Sequence, residues 1–216
     1  DFQLDFKFFD YSCDYYLKHG VMMDKDGLKK LADCDAILLG AVGMPNVPDH
    51  ISLWGLLIPI RRAFDQYVNL RPVKSLKGIN GVLKDKKNID YLIVRENSEG
   101  EYSNLGGIMY PDTENEVVIQ HSVFSKKGTE RIVKYAFELA HQRKKTLTSA
   151  TKSNGIIHSM TYWDNIFENF SKQNSKIVTS KFHIDILCAQ IVKNPDWFDV
   201  IVASNLFGDI LSDLGP

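Results

Sequence analysis

Asp209 and Asp213 stand four residues apart in Ser204-Asn-Leu-Phe-Gly-Asp-Ile-Leu-Ser-Asp213, directly after the apolar run Asp199-Val-Ile-Val-Ala203. A buried strand broken at Gly208 and followed by a helical pattern predicts both carboxylates on one helix face. Two hard oxygen ligands that close suit magnesium or manganese. A helix cap at Asp209 and a solvated Asp213 would have the same spacing, so both readings stay open. Asp185 lies in an apolar stretch predicted as helix over 182–192. A carboxylate there is costly to bury unless it is paired or holds a metal, which makes it a natural third ligand. An exposed face of an amphipathic helix would carry the same residue.

Arg61 and Arg71 flank one predicted helix end, and Arg95 ends a predicted strand. Guanidinium forks grip carboxylates in pairs of hydrogen bonds, so three converging arginines would suit a small di- or tricarboxylate, whereas scattered ones would be ordinary surface charge. Tyr102 closes the polar run Arg95-Glu-Asn-Ser-Glu-Gly-Glu-Tyr102, where a phenol could exchange a proton with a substrate or simply pack in a loop. Lys152, in Thr151-Lys-Ser-Asn-Gly155, sits at a turn between strand and helix. A lysine there acts as a base if burial or a nearby cation lowers its pKa, and otherwise faces water. His50, His158 and His183 have no ligand-like spacing, and Gly40-Ala-Val-Gly43 is not the dinucleotide-binding glycine signature.

The elements that must position these groups alternate. A period-2 run over 2–8 predicts a strand, a Tyr-rich helix runs to His19-Gly20, and Asp24 caps a helix leading to a strand over 34–43. A helix over 53–67 is closed by Asn69-Leu-Arg-Pro72, and residues 78–88 form a Gly- and Lys-rich connection. Then come a strand over 91–95, an exposed strand or arm within 114–125, and strands over 146–150 and 176–181 among helices over 128–145 and 156–170. This rhythm predicts an α/β fold with a mostly parallel sheet, whose sites gather at the carboxyl ends of strands.

A chain of 216 residues, 44% hydrophobic and 25% charged, can bury a core, and a net charge of −1 gives no footprint for nucleic acid or an anionic membrane. No apolar run approaches the ~20 residues of a membrane span. Three scattered cysteines indicate neither a disulfide framework nor a zinc site and fit a reducing cytoplasm. The chain begins on strand-like residues without a methionine and stops just past a helical turn, so it is expected to be incomplete at both ends.

Arg61 with Asn69-Leu-Arg71-Pro72, Val94-Arg95-Glu96-Asn97 leading to Tyr102, Lys152 in Ala-Thr-Lys-Ser-Asn, Asp185, and Asn205-Leu-Phe-Gly-Asp209-Ile-Leu-Ser-Asp213 follow one another in order. Together they resemble the β-decarboxylating dehydrogenases, the isocitrate and isopropylmalate dehydrogenase family, and look most like its tartrate dehydrogenase/decarboxylase and D-malate dehydrogenase branch. The resemblance covers essentially the whole chain. It implies an isopropylmalate dehydrogenase-like two-domain α/β fold, with residues 1–66 part of a cofactor-side domain and 67–216 a second domain bearing a dimer arm at 101–124. It implies NAD- and metal-dependent oxidative decarboxylation of a small 2-hydroxy dicarboxylic acid, tartrate or D-malate. Arg61, Arg71 and Arg95 would hold the substrate's carboxylates. Asp209 and Asp213, with Asp185 of a second copy in a homodimer, would hold Mg2+ or Mn2+. Lys152, also reaching across the dimer, would serve the base, and Tyr102 would protonate the product enolate. The family's adenosine-binding segments are not among these residues, so no cofactor-binding position is assigned. Rival expectations are a 3-isopropylmalate dehydrogenase and a non-catalytic fragment that keeps the metal and dimer surfaces.

Overall fold

The structure, a computed structural model, describes residues 3–76, 78, 79, 81, 83 and 89–215. The chain divides into two compact units, Asp1–Gln66 and Tyr67–Pro216.

The first unit is helical. Helix α1 (Cys13–His19) starts where the Ser12 hydroxyl accepts the Tyr15 N–H and stops at Gly20, whose φ of 72° is the left-handed conformation that ends helices. Helix α2 (Gly27–Ala32) is not capped by Asp24 as expected. Asp24 instead accepts hydrogen bonds from Lys30, Tyr15 and Tyr11, which hold its carboxyl down at about 2. Helices α3 (Asp49–Ser52) and α4 (Ile58–Ala63) flank a π-helical segment, Leu53–Leu57, in which the Ile58 N–H bonds the Leu53 carbonyl. Pro59 has no N–H for the Gly55 carbonyl, and the wider turn re-registers the ladder around it. Cys13, Met22, Leu31, Val47, Leu56 and Ile60 form this unit's core.

The strands expected over 2–8 and 34–43 do not form among the described residues, and Phe8 and Leu38 are 89% and 95% exposed. Periodicity reports which faces are apolar, but a strand exists only where a neighbour completes its hydrogen-bond ladder.

The second unit is a five-stranded sheet flanked by helices. Strand β1 (Val68–Lys74) is an edge strand antiparallel to β2 (Asp90–Glu96). The sequence reading placed only the end of a helix here, closed by Asn69-Leu-Arg-Pro72; Pro72 is tolerated in a strand at a sheet edge, where its missing N–H costs no ladder bond. The expected connection over 78–88 lies largely outside the described residues. Strands β3 (Gly106–Met109) and β4 (Val117–Gln120) make a separate antiparallel hairpin. Helix α5 (Lys126–Gln142), strand β5 (Thr146–Thr151), helix α6 (Ser159–Gln173), strand β6 (Val178–His183), helix α7 (Ile184–Lys193), strand β7 (Val200–Ala203) and helix α8 (Asn205–Asp213) complete the chain. The sheet order is β1-β2-β7-β5-β6, parallel except for β1.

Two apolar layers sandwich the sheet. Tyr91, Ile93, Leu187, Ile191, Phe207 and Leu211 pack on one face, and Val94, Ile132, Phe137, Trp163, Phe167 and Val202 on the other. Strand β2 feeds both layers because successive side chains alternate across a sheet. Its neighbour β7 is buried along its whole length, as expected of a central parallel strand.

Candidate active site

Arg95, one residue before the end of β2, pairs with Ala203 at the end of β7, so the helix that follows β7 starts beside it. That helix begins at Asn205, not after Gly208. Gly208 lies inside α8, and a Cβ there would come within 2.6 Å of the Arg95 Cβ and Cγ. The glycine permits close approach of helix and strand; it does not break the helix. The i, i+4 spacing of Asp209 and Asp213 survives the correction.

Arg95 is 2% exposed, and each of its three guanidinium nitrogens makes a hydrogen bond. Its Nε and Nη2 donate to Asn205 Oδ1 at 3.1 and 2.7 Å, and Nη1 donates to Asp209 Oδ1. Burial pulls the guanidinium below its ordinary pKa and Asp209 opposes the shift. Arg71 reaches the same Asp209 oxygen at 3.8 Å, with its Nε held by Asn69 Oδ1 at 2.9 Å. Antiparallel pairing opposes Asn69 to Arg95, which is how two arginines 24 residues apart come to face one carboxylate. The Tyr102 hydroxyl donates to the other oxygen, Asp209 Oδ2, at 2.9 Å, and the Arg95 guanidinium lies 5.6 Å from the Tyr102 ring centroid. Burial, then the hydrogen bond to Asp209, raises the phenol's pKa, so it is protonated at neutral pH.

The loop between β2 and the hairpin is tied to the starts of α5 and α8. Glu101 accepts the Ser204 hydroxyl at 2.7 Å and the Leu206 N–H at 2.9 Å. Glu99 accepts the Ser125 N–H and hydroxyl at the start of α5, and the Glu99 carbonyl accepts from Asn205 Nδ2. Glu96 is buried, which raises its pKa, while bonds from Ser98 and the Glu99 N–H oppose the rise.

Of the eight expected site residues, Arg71, Arg95, Tyr102 and Asp209 come together here. Asp213 follows one turn later on α8 and is exposed. Lys152 and Asp185 form a second pair, 2.7 Å apart, where β5 and β6 end, and this bond lowers the Asp185 pKa. Arg61 belongs to the first unit, in the last turn of α4. Asn205 and Glu101 were missed, although both lie inside the motifs quoted above. Their types advertise no chemistry, and only the fold shows that they hold the residues that do.

Asp209 and Asp213 offer hard oxygens one turn apart, and a carboxylate pair completed by water and substrate is the usual setting for Mg2+. Asp209 has lone pairs beyond those taken by Arg71, Arg95 and Tyr102. Among the described residues no group of three His, Cys, Asp or Glu could hold a metal ion within one chain. The donor set therefore fits a divalent metal as a pair, with any third carboxylate coming from elsewhere.

A family model described as isocitrate/isopropylmalate dehydrogenase matches residues 1–215. The chain is 57% identical over 219 aligned residues to a tartrate dehydrogenase/decarboxylase of Pseudomonas putida, covering 99% of this chain and 60% of the relative. It is 59% identical over 209 residues to a decarboxylating D-malate dehydrogenase of Escherichia coli K12, covering 95% and 58%. A crystal structure of isocitrate dehydrogenase from Methylococcus capsulatus superposes with a TM-score of 0.84 at 28% identity, over 94% of this chain and 59% of that one. The chain thus spans about 60% of the length of the curated relatives it matches. With the motifs in order, the parallel sheet in place and the match running nearly end to end, the chain belongs to the isocitrate/isopropylmalate dehydrogenase family.

Proposed function

We propose that this chain carries part of an NAD- and divalent-metal-dependent enzyme that oxidatively decarboxylates a small 2-hydroxy dicarboxylic acid, tartrate or D-malate. The observation that carries this reading is Asp209, held at once by Arg95, Arg71 and Tyr102 at the carboxyl end of the sheet. Two guanidiniums around one carboxylate leave a net positive charge that a substrate carboxylate would neutralise. The relatives at 57–59% identity are named for tartrate and D-malate, which supports those substrates over isopropylmalate.

In this reading Arg71 and Arg95 grip the substrate's carboxylates, the role that the resemblance also gives Arg61. Asp209 and Asp213 would hold the metal, with Asp185 of a second copy as a further ligand. Lys152 serves the base that takes the hydroxyl proton. Its bond to Asp185 keeps the two side chains oriented as a pair. When bound, the metal supplies a Lewis acid and NAD a hydride acceptor. Tyr102 gives its proton to the carbon from which carbon dioxide leaves. Its raised pKa keeps that proton in place until needed, and the nearby Arg95 guanidinium stabilises the phenolate left behind.

The β3–β4 hairpin supports the homodimer. Its Ile108, Val118 and Tyr110 are 59%, 66% and 65% exposed, and Leu105, Ile108, Met109, Ile119, His121 and Phe124 line an open groove of about 760 Å3 at its base. Apolar surface on that scale marks an interaction face, and a second copy that also brings Lys152 and Asp185 would cover it. Units 1–66 and 67–216 would then be the cofactor-side and second domains. A cytoplasmic setting agrees with three free cysteines and with the absence, among the described residues, of any helix long and apolar enough to cross a membrane.

The test offers D-malate, tartrate and 3-isopropylmalate to the chain with NAD and Mn2+, following NADH absorbance and, by calorimetry, binding. Chelator-sensitive oxidation of D-malate or tartrate, or Mn2+-dependent binding of either, is expected. Neither turnover nor binding with any of the three would overturn the reading.

A further inference from the structure

Helix α8 carries Asp209 and Asp213, yet its first turn is not capped by its own N-cap residue. The Ser204 backbone has the extended conformation of an N-cap (φ −61°, ψ 173°), but its side chain accepts no helix N–H. The Ser204 hydroxyl donates to Glu101 Oε1, and Glu101 Oε2 takes the Leu206 N–H. A carboxylate borrowed from 103 residues away thus does the work of the cap. It also faces the positive end of the helix, where an anion is stabilised.

Glu101 is chain neighbour to Tyr102, whose hydroxyl reaches Asp209 one turn further along the same helix. The segment is fastened to α8 twice in two residues, once at the helix start and once at the metal-ligand candidate. On its other flank Gly100 has a φ of 85° and exchanges backbone hydrogen bonds of 2.7 and 2.9 Å with Val123. Behind it, the Asn205 side chain joins Arg95 to the Glu99 carbonyl. Of these fastenings, the Glu101 carboxylate is the one on the residue next to Tyr102 in the chain, and it holds the start of α8.

We propose that Glu101 is a positioning residue for the Tyr102 phenol: by closing the amino end of α8 with its own carboxylate, it sets the register of the 96–102 segment against the helix that carries Asp209. The role rests on the proton donation assigned to Tyr102 above.

The test separates the cap from the tether. Glu101→Ala removes both. Adding Ser204→Asp to it returns a carboxylate to the N-cap, which can accept the helix N–H groups without touching the loop. Two signals are read in the 216-residue chain at neutral pH: hydrogen exchange of the Leu206 amide, and the chemical shifts of the Tyr102 ring in 1H–13C NMR spectra, assigned by their loss in Tyr102→Phe. Glu101→Ala is expected to speed Leu206 exchange roughly five- to tenfold and to move the Tyr102 ring shifts toward those of an exposed tyrosine. In the double variant exchange recovers and the phenol does not. Recovery of both signals together would make Glu101 a helix cap only, and an unmoved Tyr102 in Glu101→Ala would equally overturn the proposal. If Glu101→Ala does not fold, Glu101→Asp decides, since it keeps the charge but is one methylene too short to hold the segment in the same register. Displaced Tyr102 ring shifts are then expected, and unchanged ones sink the idea. Neither signal requires turnover, so inert tartrate and malate would refute the reaction proposed above and leave this assignment standing.

Discussion

The sheet carries an arginine–aspartate centre at each end, and the two are built in opposite senses. At the carboxyl end the arginine is the buried partner: the Arg95 side chain is 2% exposed and that of Asp209 33%. At the amino end the acid is the buried partner: the Asp199 side chain is 1% exposed and that of Arg143 23%. Asp199 spends its oxygens on Arg143 Nε at 2.7 Å and the Lys144 N–H at 2.8 Å, and Arg143 Nη2 binds Asp90 at 2.9 Å. This cluster joins the starts of β2 and β7 to the turn before β5, and both oxygens of its buried acid are taken. Asp209 keeps an open side, and its three partners are groups that could equally hold a substrate. A buried acid pinned by a surface arginine is a fastening, whereas a buried arginine presenting a half-open acid is a receptor.

The largest effect expected to sharpen this contrast is at Arg95. Arg95→Lys cannot reproduce the fork that spans Asn205 and Asp209. Breaking a charge pair whose arginine is buried costs about 3–5 kcal/mol, which taken from dicarboxylate affinity or turnover is roughly 10²–10⁴-fold. Calorimetric titration with tartrate and Mn2+ checks this, and wild-type affinity would refute the receptor reading. Arg143→Ala is the mirror image. It strands Asp199 with one donor, and urea denaturation should show a loss of about 3–5 kcal/mol, while the protein that remains folded binds dicarboxylate as before.

Gly208→Ala lies between these two. Its Cβ would press on the Arg95 side chain, so a loss of about 1–3 kcal/mol in stability is expected together with weakened dicarboxylate binding. Stability lost without any change in binding would mean that the helix yields and Arg95 does not. The smallest effect is the response to acid. Arg143 holds the Asp90 carboxyl below its ordinary 3.8, so its contribution is present above pH 3.8 and drains away as pH falls through the depressed folded value. In Arg143→Ala that acid-dependent portion of the denaturation profile should flatten, and an unaltered profile would place the effect elsewhere.

Local patterns gave most of the second unit. The strands at 91–95, 146–150 and 176–181 and the long helices were legible because apolar residues recur with the period of the element that buries them. Edge strand β1 was not, since Pro72 argues against a strand unless its edge position is known. The strand patterns at 2–8 and 34–43 were legible but not realised among the described residues, because alternation names a buriable face without supplying the neighbour that buries it. At Gly208 a helix breaker was read where the fold needs a gap for Arg95.

The sequence by itself determined the family, the order of the reactive residues, and the i, i+4 spacing of Asp209 and Asp213, since these depend on residue identity and near neighbours. Tertiary structure decided which of them meet. Antiparallel β1–β2 register brings Arg71 beside Arg95, parallel β2–β7 pairing brings Asp209 to both, and the loop carries Glu101 and Tyr102 onto α8. The Arg95–Asp209 contact spans 114 residues. No local period encodes a closure of that length. It follows from strand order, which is settled by how the whole sheet buries its two faces.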